Sequence, residues 1–530
     1  MREAQRRVFA QANLSVIAGS VVGLMQDKGE ISAAVLEDGS RILCRSLILT
    51  CGTFLNGRIH IGLNNLESGR AGEQAIKGLT GNLKDIGFHT GRLKTGTPPR
   101  VHRDSIDFSK VQVQEPDDPP IPFSFEREKI EREQLRCYIT YTNTNTHDWL
   151  RTGLDRSPMY TGVIKATGAR YCPSIEDKIV RFADKDRHQI FLEPEGFDNP
   201  EVYVNGFSTS LPEDVQEKAI RTVVGLENAQ IIRLGYAVEY DFFPSYQLQA
   251  TLETKLVENL YFAGQINGTS GYEEAAAQGL LAGINAAMKL LDREPLTLDR
   301  SEAYAGVLVD DLINKTILEP YRMFTSRAEF RLLLRHDNAD LRLMEHGHRI
   351  GLIGDATYER MVERREEIAA LKEKIGSTTM PPETFNAYAE EMNSSKITQA
   401  VPLQQLIKRP EVKLEEIISR SENFASEEYS VATRTEVDFS IKYEGFLKRQ
   451  QDLVDKFKKM ENTKIPDWID YDAIGSLSTE GREKLKQVRP HSMGQAARIS
   501  GVRQGDISIL MVYLEKGNRE RKIVSRETVA

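Results

Sequence analysis

One cysteine, Cys172, stands where it could act as a nucleophile, in the run Gly168-Ala-Arg-Tyr-Cys-Pro-Ser-Ile-Glu-Asp-Lys178. The thiolate is the reactive form of cysteine, and the nearby cations Arg170 and Lys178 would lower the pKa of such a thiol. A lone cysteine is also a common structural residue, small and apolar enough for a core, and the residues alone leave both readings open. The other cysteines, Cys44, Cys51 and Cys137, lack CxxC spacing, which fits reduced thiols and opposes a disulfide framework or a zinc site. His346 and His348 have no cysteine or carboxylate partners at ligand spacing, so no metal is expected.

A second cluster lies at 260–290, in LYFAGQINGTSGYEEAAAQGLLAGINAAMKLL. Leu260 to Ala263 read as an apolar strand that breaks at Gly264, and Gly268 and Gly271 bracket a turn rich in amides and hydroxyls. Ala275, Gly279, Gly283 and Ala287 then form a ridge of small residues on the following helix. Such a ridge permits close packing on a sheet or a cofactor, at about 1 kcal/mol of helix propensity per glycine. The helix N-terminus offers free N–H groups and partial positive charge to a phosphate or an anionic ring edge. Tight helix-on-sheet packing without a ligand explains the same pattern.

Arginines supply a third set. Arg327, Arg331 and Arg335 recur every four residues, with Arg322 and Arg342 nearby, so on a helix the three share one face. Arg92, Lys94 and Arg100 gather beside Gly96 and the Pro98-Pro99 break. Such cations could hold the phosphates of an RNA while a target base is extruded into a pocket. Ion pairing with Glu329, Asp337 and Asp340 is the competing reading. Tyr321 and Phe324 could stack a base but suit a core equally.

The elements that must position these groups follow from patterning. LSVIAGSVVGLM and ISAAVLED flank the polar turn at 26–29 and predict a hairpin. Leu47 to Leu49 predict a buried strand ending at Cys51-Gly52, much as Leu260 to Ala263 end at Gly264. Two such strands, so far apart, predict one sheet interrupted by an inserted domain. EPDDPPIP at 115–122 predicts a loop, and QIFLEP and EVYVNGF predict strands between 189 and 207. Beyond about 300 charged helical patterns dominate. In 355–376, Tyr358, Met361, Ile368, Leu371 and Ile375 share a face, with Asp355 as N-cap and Gly376 as stop. A Pro/Ser/Asn-rich link is expected at 376–402 and further helices at 403–517, including a helix-turn-helix outline about Gly501. The second of that pair, DISILMVYL, is too apolar to read a groove of DNA and suits a partner's groove better.

The length, 530 residues, accommodates roughly three or four structural units. No apolar run is long enough to span a bilayer and the N-terminus lacks a secretory h-region, so a cytoplasmic location with no membrane partner is expected. The net charge is −8, so a nucleic acid must be met by a local basic surface.

FAGQINGTSGYEEAAAQG resembles the flavin-facing signature of the tRNA wobble-uridine carboxymethylaminomethyl-modifying flavoenzymes, the MnmG or GidA family. GTFLNGRIHIG (52–62), GRLKTGTPPR (91–100), THDWLRTG and DRSPMYTG (146–162), RYCPSIEDK (170–178), LEPEG and VNGFSTSLPED (192–214) resemble that family in the same order. So do EPYRMFTSRAEFRLLLRHDNADLRL (319–343), KYEGFLKRQ (442–450) and RPHSMGQAARISGV (489–502). Together they span nearly the whole chain, and motifs this long are far more specific than a single glycine fingerprint.

The resemblance implies an α/β fold: a Rossmann-like FAD-binding domain interrupted by an inserted α/β domain, then an all-helical C-terminal domain. The expected boundaries are 1–98 and 241–300 for the FAD-binding parts, 99–240 for the insertion and 301–530 for the helical domain. It implies a catalytic role for Cys172. FAD contacts are implied at Gln265, Gly264, Asn267, Gly268, Gly271, Gly52 and Val21, with the 272–290 helix N-terminus facing the isoalloxazine. Gly168, Arg170 and Lys178 are implied to hold NADH. tRNA contacts are expected at Arg92, Lys94, Arg322, Arg327, Arg331 and Arg335. Methylenetetrahydrofolate is the implied one-carbon source, tRNA the substrate, a GTPase of the MnmE family the partner, and a homodimer the assembly.

Members of the family open with a strand and GxGxxG that cradles the FAD pyrophosphate. This sequence begins inside the region that follows, and the family's second catalytic cysteine is absent with that segment; Cys51 does not match it. An internal start is therefore expected, with FAD held weakly or not at all by this polypeptide; retained flavin absorbance would refute that. Two rivals stand beside this reading. The folate-dependent tRNA uridine methyltransferases lack the long helical region found here, and a non-catalytic tRNA- or GTPase-binding scaffold would bind without making product.

Overall fold

The computed structural model describes residues 2–514 except Glu128, Cys172, Thr316, Leu318, Ser426 and Asp467. Two units make up the chain. One holds Met1–Phe123, Arg127–Pro295 and Thr316–Arg322; the other holds Ser124–Glu126, Leu296–Lys315 and Met323–Ala530.

In the first unit the expected hairpin forms from Val21–Asp27 and Glu30–Leu36. Lys28 (φ 51°) and Gly29 (φ 88°) both adopt left-handed backbone at its tip, the geometry that matches the twist of a tight hairpin. Leu47–Leu49 and Leu260–Phe262 pair in parallel, Leu47 against Leu260 and Leu49 against Phe262. Everything between them is an excursion from one sheet, as the two like strand ends predict.

The excursion contains two six-stranded sheets. In the first, Thr167–Gly168, Gly91–Thr97, Tyr236–Phe242, Arg58–Ile61, Asn64–Arg70 and Glu73–Gln74 lie side by side in that order. Alternation divides its faces. Leu93, Tyr240 and Phe242 cluster on one, as do Ile59, Tyr236 and Val238, while Arg92, Lys94, Glu239, Asp241, Arg58 and His60 fall on the other. The second sheet runs from Gln112–Gln114 through Cys137–Tyr141, Gln189–Pro194, Glu201–Asn205 and Arg100–His102 to Ile231–Arg233. Its core includes Val101, Leu192, Val202, Phe207, Leu211 and Ile220, and residues 115–122 form no helix or strand.

The second unit is built of helices, with one two-stranded pair, Thr379–Met380 against Val401–Pro402. The long helix covers Asp355–Ser377 and buries Met361, Ile368, Leu371 and Ile375, while Tyr358 is half-buried. Gly354, not Asp355, is its N-cap, and the helix passes through Gly376. The expected link at 376–402 instead contains the helix Pro382–Glu391, which begins on a proline in its first turn and buries Phe385, Tyr388 and Ala389 in the main helical core. Met493–Arg498, Gly501 at φ 95° and a helix over residues 504–514 give the predicted helix-turn-helix outline.

The arginine face does not exist. Thr325–Arg327 is a single 3₁₀ turn and residues 329–333 are turns, so Arg327, Arg331 and Arg335 share no helix. Arg335 pairs with Asp337 at 2.9 Å and with Glu436, and its guanidinium lies 3.5 Å from the Phe439 ring centroid. Arg327 stands 3.6 Å from Asp311, a fully buried carboxylate that Arg300 meets at 2.6 Å and Lys315 at 2.7 Å. Glu329 binds Arg300 and Asp340 binds Arg364, so neither neutralises the arginines predicted to pair with it. Arg331 alone of the three is exposed. Among the described residues no helix is long and apolar enough to cross a membrane, and no cluster of three metal-ligating side chains occurs.

Candidate functional site

The site is organised by the break after Leu260–Phe262. Gly264 takes φ 85°, a left-handed conformation that suits glycine, and starts the 3₁₀ turn Gly264–Asn267. Gly268, at φ 84°, closes it, and a Cβ there would stand 3.1 Å from Ile317 and 3.2 Å from Phe242. The fully buried Gln278, one helix turn along from Glu274, locks this geometry. Its Oε1 accepts from Gly264 N–H (3.1 Å) and Asn267 Nδ2 (2.9 Å), and its Nε2 donates to Thr269 Oγ1 and to the Glu274 carbonyl, both at 3.0 Å. Sequence reading missed Gln278, because a glutamine amid alanines and glycines carries no spacing signal.

Gln265 is half-buried at the turn, and its Oε1 lies 3.6 Å from the Cβ position of Gly52, itself left-handed at φ 58°. The two strand ends therefore converge as expected. Beside the Gln265 amide lies Tyr240, fully buried, whose hydroxyl meets no partner at hydrogen-bonding geometry. Burial pushes its pKa up, as does the neighbouring Tyr171, so it remains a proton donor facing the turn.

Two further links tie other candidates in. Tyr171 Oη and Ser270 Oγ are 2.7 Å apart, which joins the Gly168–Lys178 segment to the turn. Arg322, expected on the RNA surface, stands 3.2 Å from Glu274 and 6.0 Å from the Tyr171 ring centroid, within this cluster. Glu274 itself answers the helix N-terminus. Its Oε2 lies 1.6 Å from where a Gly271 Cβ would be, so a side chain at 271 would displace this carboxylate, which sits at the positive end of the helix without capping its N–H groups.

The small ridge also differs from its packing interpretation. The helix Tyr272–Leu290 buries Glu274, Gln278, Leu281, Ala282, Asn285 and Met288. A Cβ at Gly279 or Gly283 would meet nothing within 4 Å. At both glycines the crest is open among the described residues.

Other sequence candidates lie elsewhere. The Asn267 side chain is buried, bonded to the Phe262 carbonyl at 2.8 Å and to Gln278, and braces the turn. Val21 opens the hairpin opposite Leu36, and no described contact joins it to the turn. Arg170 pairs with Glu319 at 3.2 Å and is largely exposed, and Lys178 donates to the Gly206 carbonyl at 2.9 Å. Arg92 pairs with Asp241 at 2.8 Å. Lys94 is 7% exposed, with most of its stem enclosed. Cys172 lies outside the described residues. Burial pushes the Cys51 thiol up to about 12, which suits the structural role expected of it.

Comparison with known proteins supplies the lineage. The family model for glucose inhibited division protein A matches residues 1–294, and models for the C-terminal helical domain and helical bundle of tRNA modifying enzyme MnmG/GidA match 355–451 and 453–530. The tRNA uridine 5-carboxymethylaminomethyl modification enzyme MnmG of Geobacter sulfurreducens is 51% identical over 506 residues, 95% of this chain and 80% of that protein. The enzyme of the same name from Bacillus subtilis is 50% identical over 97% of this chain and 82% of its own length. The crystal structure of Aquifex aeolicus GidA superposes with a TM-score of 0.87 at 42% identity, covering 97% of this chain and 82% of that one. An α/β fold with a helical C-terminal part, matched in sequence and in structure along nearly its whole length, makes this chain a member of the MnmG/GidA family.

Proposed function

We propose that this chain modifies tRNA, adding the carboxymethylaminomethyl group to carbon 5 of the wobble uridine with FAD, NADH, a methylene carbon from methylenetetrahydrofolate, glycine to complete the substituent, and a partner GTPase of the MnmE family. The observation that carries the reading is the turn after Leu260–Phe262: Gln265 set against Gly52, a buried Tyr240 hydroxyl lacking an acceptor, and an open glycine crest. A flat, heteroatom-rich ring fits such a place. It would lie along Gly279 and Gly283, take the Tyr240 proton at an acceptor atom and meet the Gln265 amide at its edge. Flavin, when bound there, supplies the redox chemistry of the one-carbon step. Half of the residues are identical to enzymes named for this modification, which supports the choice of substrate.

Cys172, in the segment anchored by Tyr171, adds its thiolate to carbon 6 of the uracil. The carbon 5–carbon 6 double bond becomes an enolate, carbon 5 attacks the one-carbon electrophile, and loss of the carbon 5 proton expels the thiolate. Gly168, Arg170 and Lys178 hold the nicotinamide nucleotide. Arg331 and Arg322 are the arginines best placed to meet tRNA phosphates, the first by exposure and the second by its place at the site. The active assembly is a homodimer in the cytoplasm.

The test is single-turnover modification of undermodified tRNA by this chain, supplied with FAD, NADH, the folate, glycine and the GTPase with its nucleotide. Modified uridine is the expected result. Binding of tRNA without product overturns the enzymatic reading in favour of a scaffold.

A further inference from the structure

Lys94 occupies the centre of the polar face of the first six-stranded sheet, opposite Gly168 on one neighbouring strand and Glu239 on the other. It is 7% exposed. The stem is enclosed while the ammonium end keeps some contact with solvent, and a lysine so enclosed ordinarily has a carboxylate or several carbonyls around its head. Among the described residues Lys94 has no hydrogen bond and no ion pair. Glu239, its opposite number, is committed elsewhere: to His60 Nε2 at 3.0 Å, to Arg92 Nε at 3.8 Å and to the Ala166 N–H. Asp241 is committed to Arg92 and to Asn56 Nδ2.

The space around this lysine is made by glycines. A Cβ at Gly168 would stand 3.3 Å from Lys94 Cδ, in the path of the stem. A Cβ at Gly96 would stand 3.8 Å from Lys94 Nζ and 2.9 Å from Ser208 Oγ, so that position keeps room between the ammonium and a hydroxyl. A cation at the end of an enclosed stem, with no ion pair from this chain among the described residues and with a hydroxyl and two missing side chains around it, leaves room for an anion.

We propose that Lys94 is an anion-holding residue: its ammonium takes a phosphate or carboxylate oxygen of a small ligand bound against the polar face of this sheet, with Ser208 beside it. The burial excludes the backbone of a nucleic acid, whose successive phosphates need an open surface. Two ligands of the proposed reaction carry the right group, a dinucleotide through its pyrophosphate and a folate through its glutamate carboxylates, so the choice of probes rests on the function proposed above.

The experiment is calorimetric titration of the full chain and of Lys94→Met with NADH, with 5-formyltetrahydrofolate and with inorganic pyrophosphate. Affinity for one of the two organic ligands is expected to fall at least tenfold in Lys94→Met while the other is unchanged, which identifies the source of the anion. The ligand-free variant is expected to melt close to the parent, since no side chain of this chain pairs with the Lys94 ammonium among the described residues. Unchanged affinity for all three probes, or no binding of any of them by the parent chain, overturns the proposal. Lys94→Gln serves if the methionine variant does not fold. These outcomes are read from binding alone, so they stand apart from success or failure of tRNA modification.

Discussion

Replacing Gln278 by methionine tests whether one buried amide holds the cofactor-facing turn. Methionine fills similar volume and keeps helix propensity, so the change isolates four hydrogen bonds. Three of the four partners have somewhere else to go. Asn267 Nδ2 still reaches the Phe262 carbonyl, Glu274 O still accepts within the helix, and the Thr269 hydroxyl can rotate. The Gly264 N–H has no other acceptor among the described residues, and orphaning a buried backbone donor costs about 1–3 kcal/mol. Adding a fraction of about 1 kcal/mol for each remaining bond brings the expected loss to about 3 kcal/mol, and burial of the methionine offsets only part of it. For a unit of about 300 residues that lowers the melting temperature by about 5 °C. Urea titration followed by tryptophan and far-UV signals gives the number directly. A loss under about 1 kcal/mol would mean that the turn is held by its glycines and by Tyr321, whose N–H donates to the Gly268 carbonyl at 2.8 Å, and the role assigned to Gln278 would be wrong.

Four further outcomes are expected. Asp311→Asn leaves Arg300, 3% exposed, short of its closest counter-charge and destabilises the helical unit by about 3–5 kcal/mol, measured by thermal melting, whereas the pair Arg300→Met with Asp311→Leu comes close to neutral. Arg331→Ala weakens tRNA binding and reduces its salt slope by about one without lowering the melting temperature, while Arg327→Ala lowers the melting temperature first. Gly279→Ala and Gly283→Ala each stabilise the chain by up to about 1 kcal/mol in denaturant titration, since a Cβ at either position meets nothing. Burial lowers the pKa of His147 and of its neighbour His188, so the unfolded chain binds their protons first; stability is full above the unfolded value and falls as pH drops from there through the folded values, a slope that His147→Gln reduces and the double change with His188→Gln removes.

What the sequence revealed was set by range. Local backbone requirements were legible: the hairpin tip at Lys28-Gly29, the strand ends at Gly52 and Gly264, and the apolar stripe Met361, Ile368, Leu371 and Ile375 are each written within a few residues. Pairing of side chains was not, because the partners are remote. Arg335 finds Glu436 101 positions later, and Tyr171 finds Ser270 99 positions later. The arginine face failed for a local reason instead. A four-residue period was read as a helix, yet Ala328, Phe330 and Leu334 are drawn into a core with Val307 and Val454, and the chain follows that burial in turns. Lys94 was legible as a cation and not as a buried one, since its burial comes from the strands on either side.

The helix Tyr272–Leu290 separates two jobs that the ridge of small residues had seemed to combine. Its packing face, through Gln278, Leu281, Asn285 and Met288, is offset by one residue from the glycines, about 100° around the axis. The sheet-facing contacts therefore need no small side chain, and Gly279 and Gly283 cost about 1 kcal/mol each in helix propensity with no return in packing within this chain. Selection for stability alone would replace them with alanine. Their place beside Gly264, Gln265 and the unsatisfied Tyr240 hydroxyl suits a flat group that approaches the helix backbone closely along that crest. If leucine at 279 left flavin retention and tRNA modification of the reconstituted enzyme intact, the crest would have no ligand to accommodate and that argument would fail.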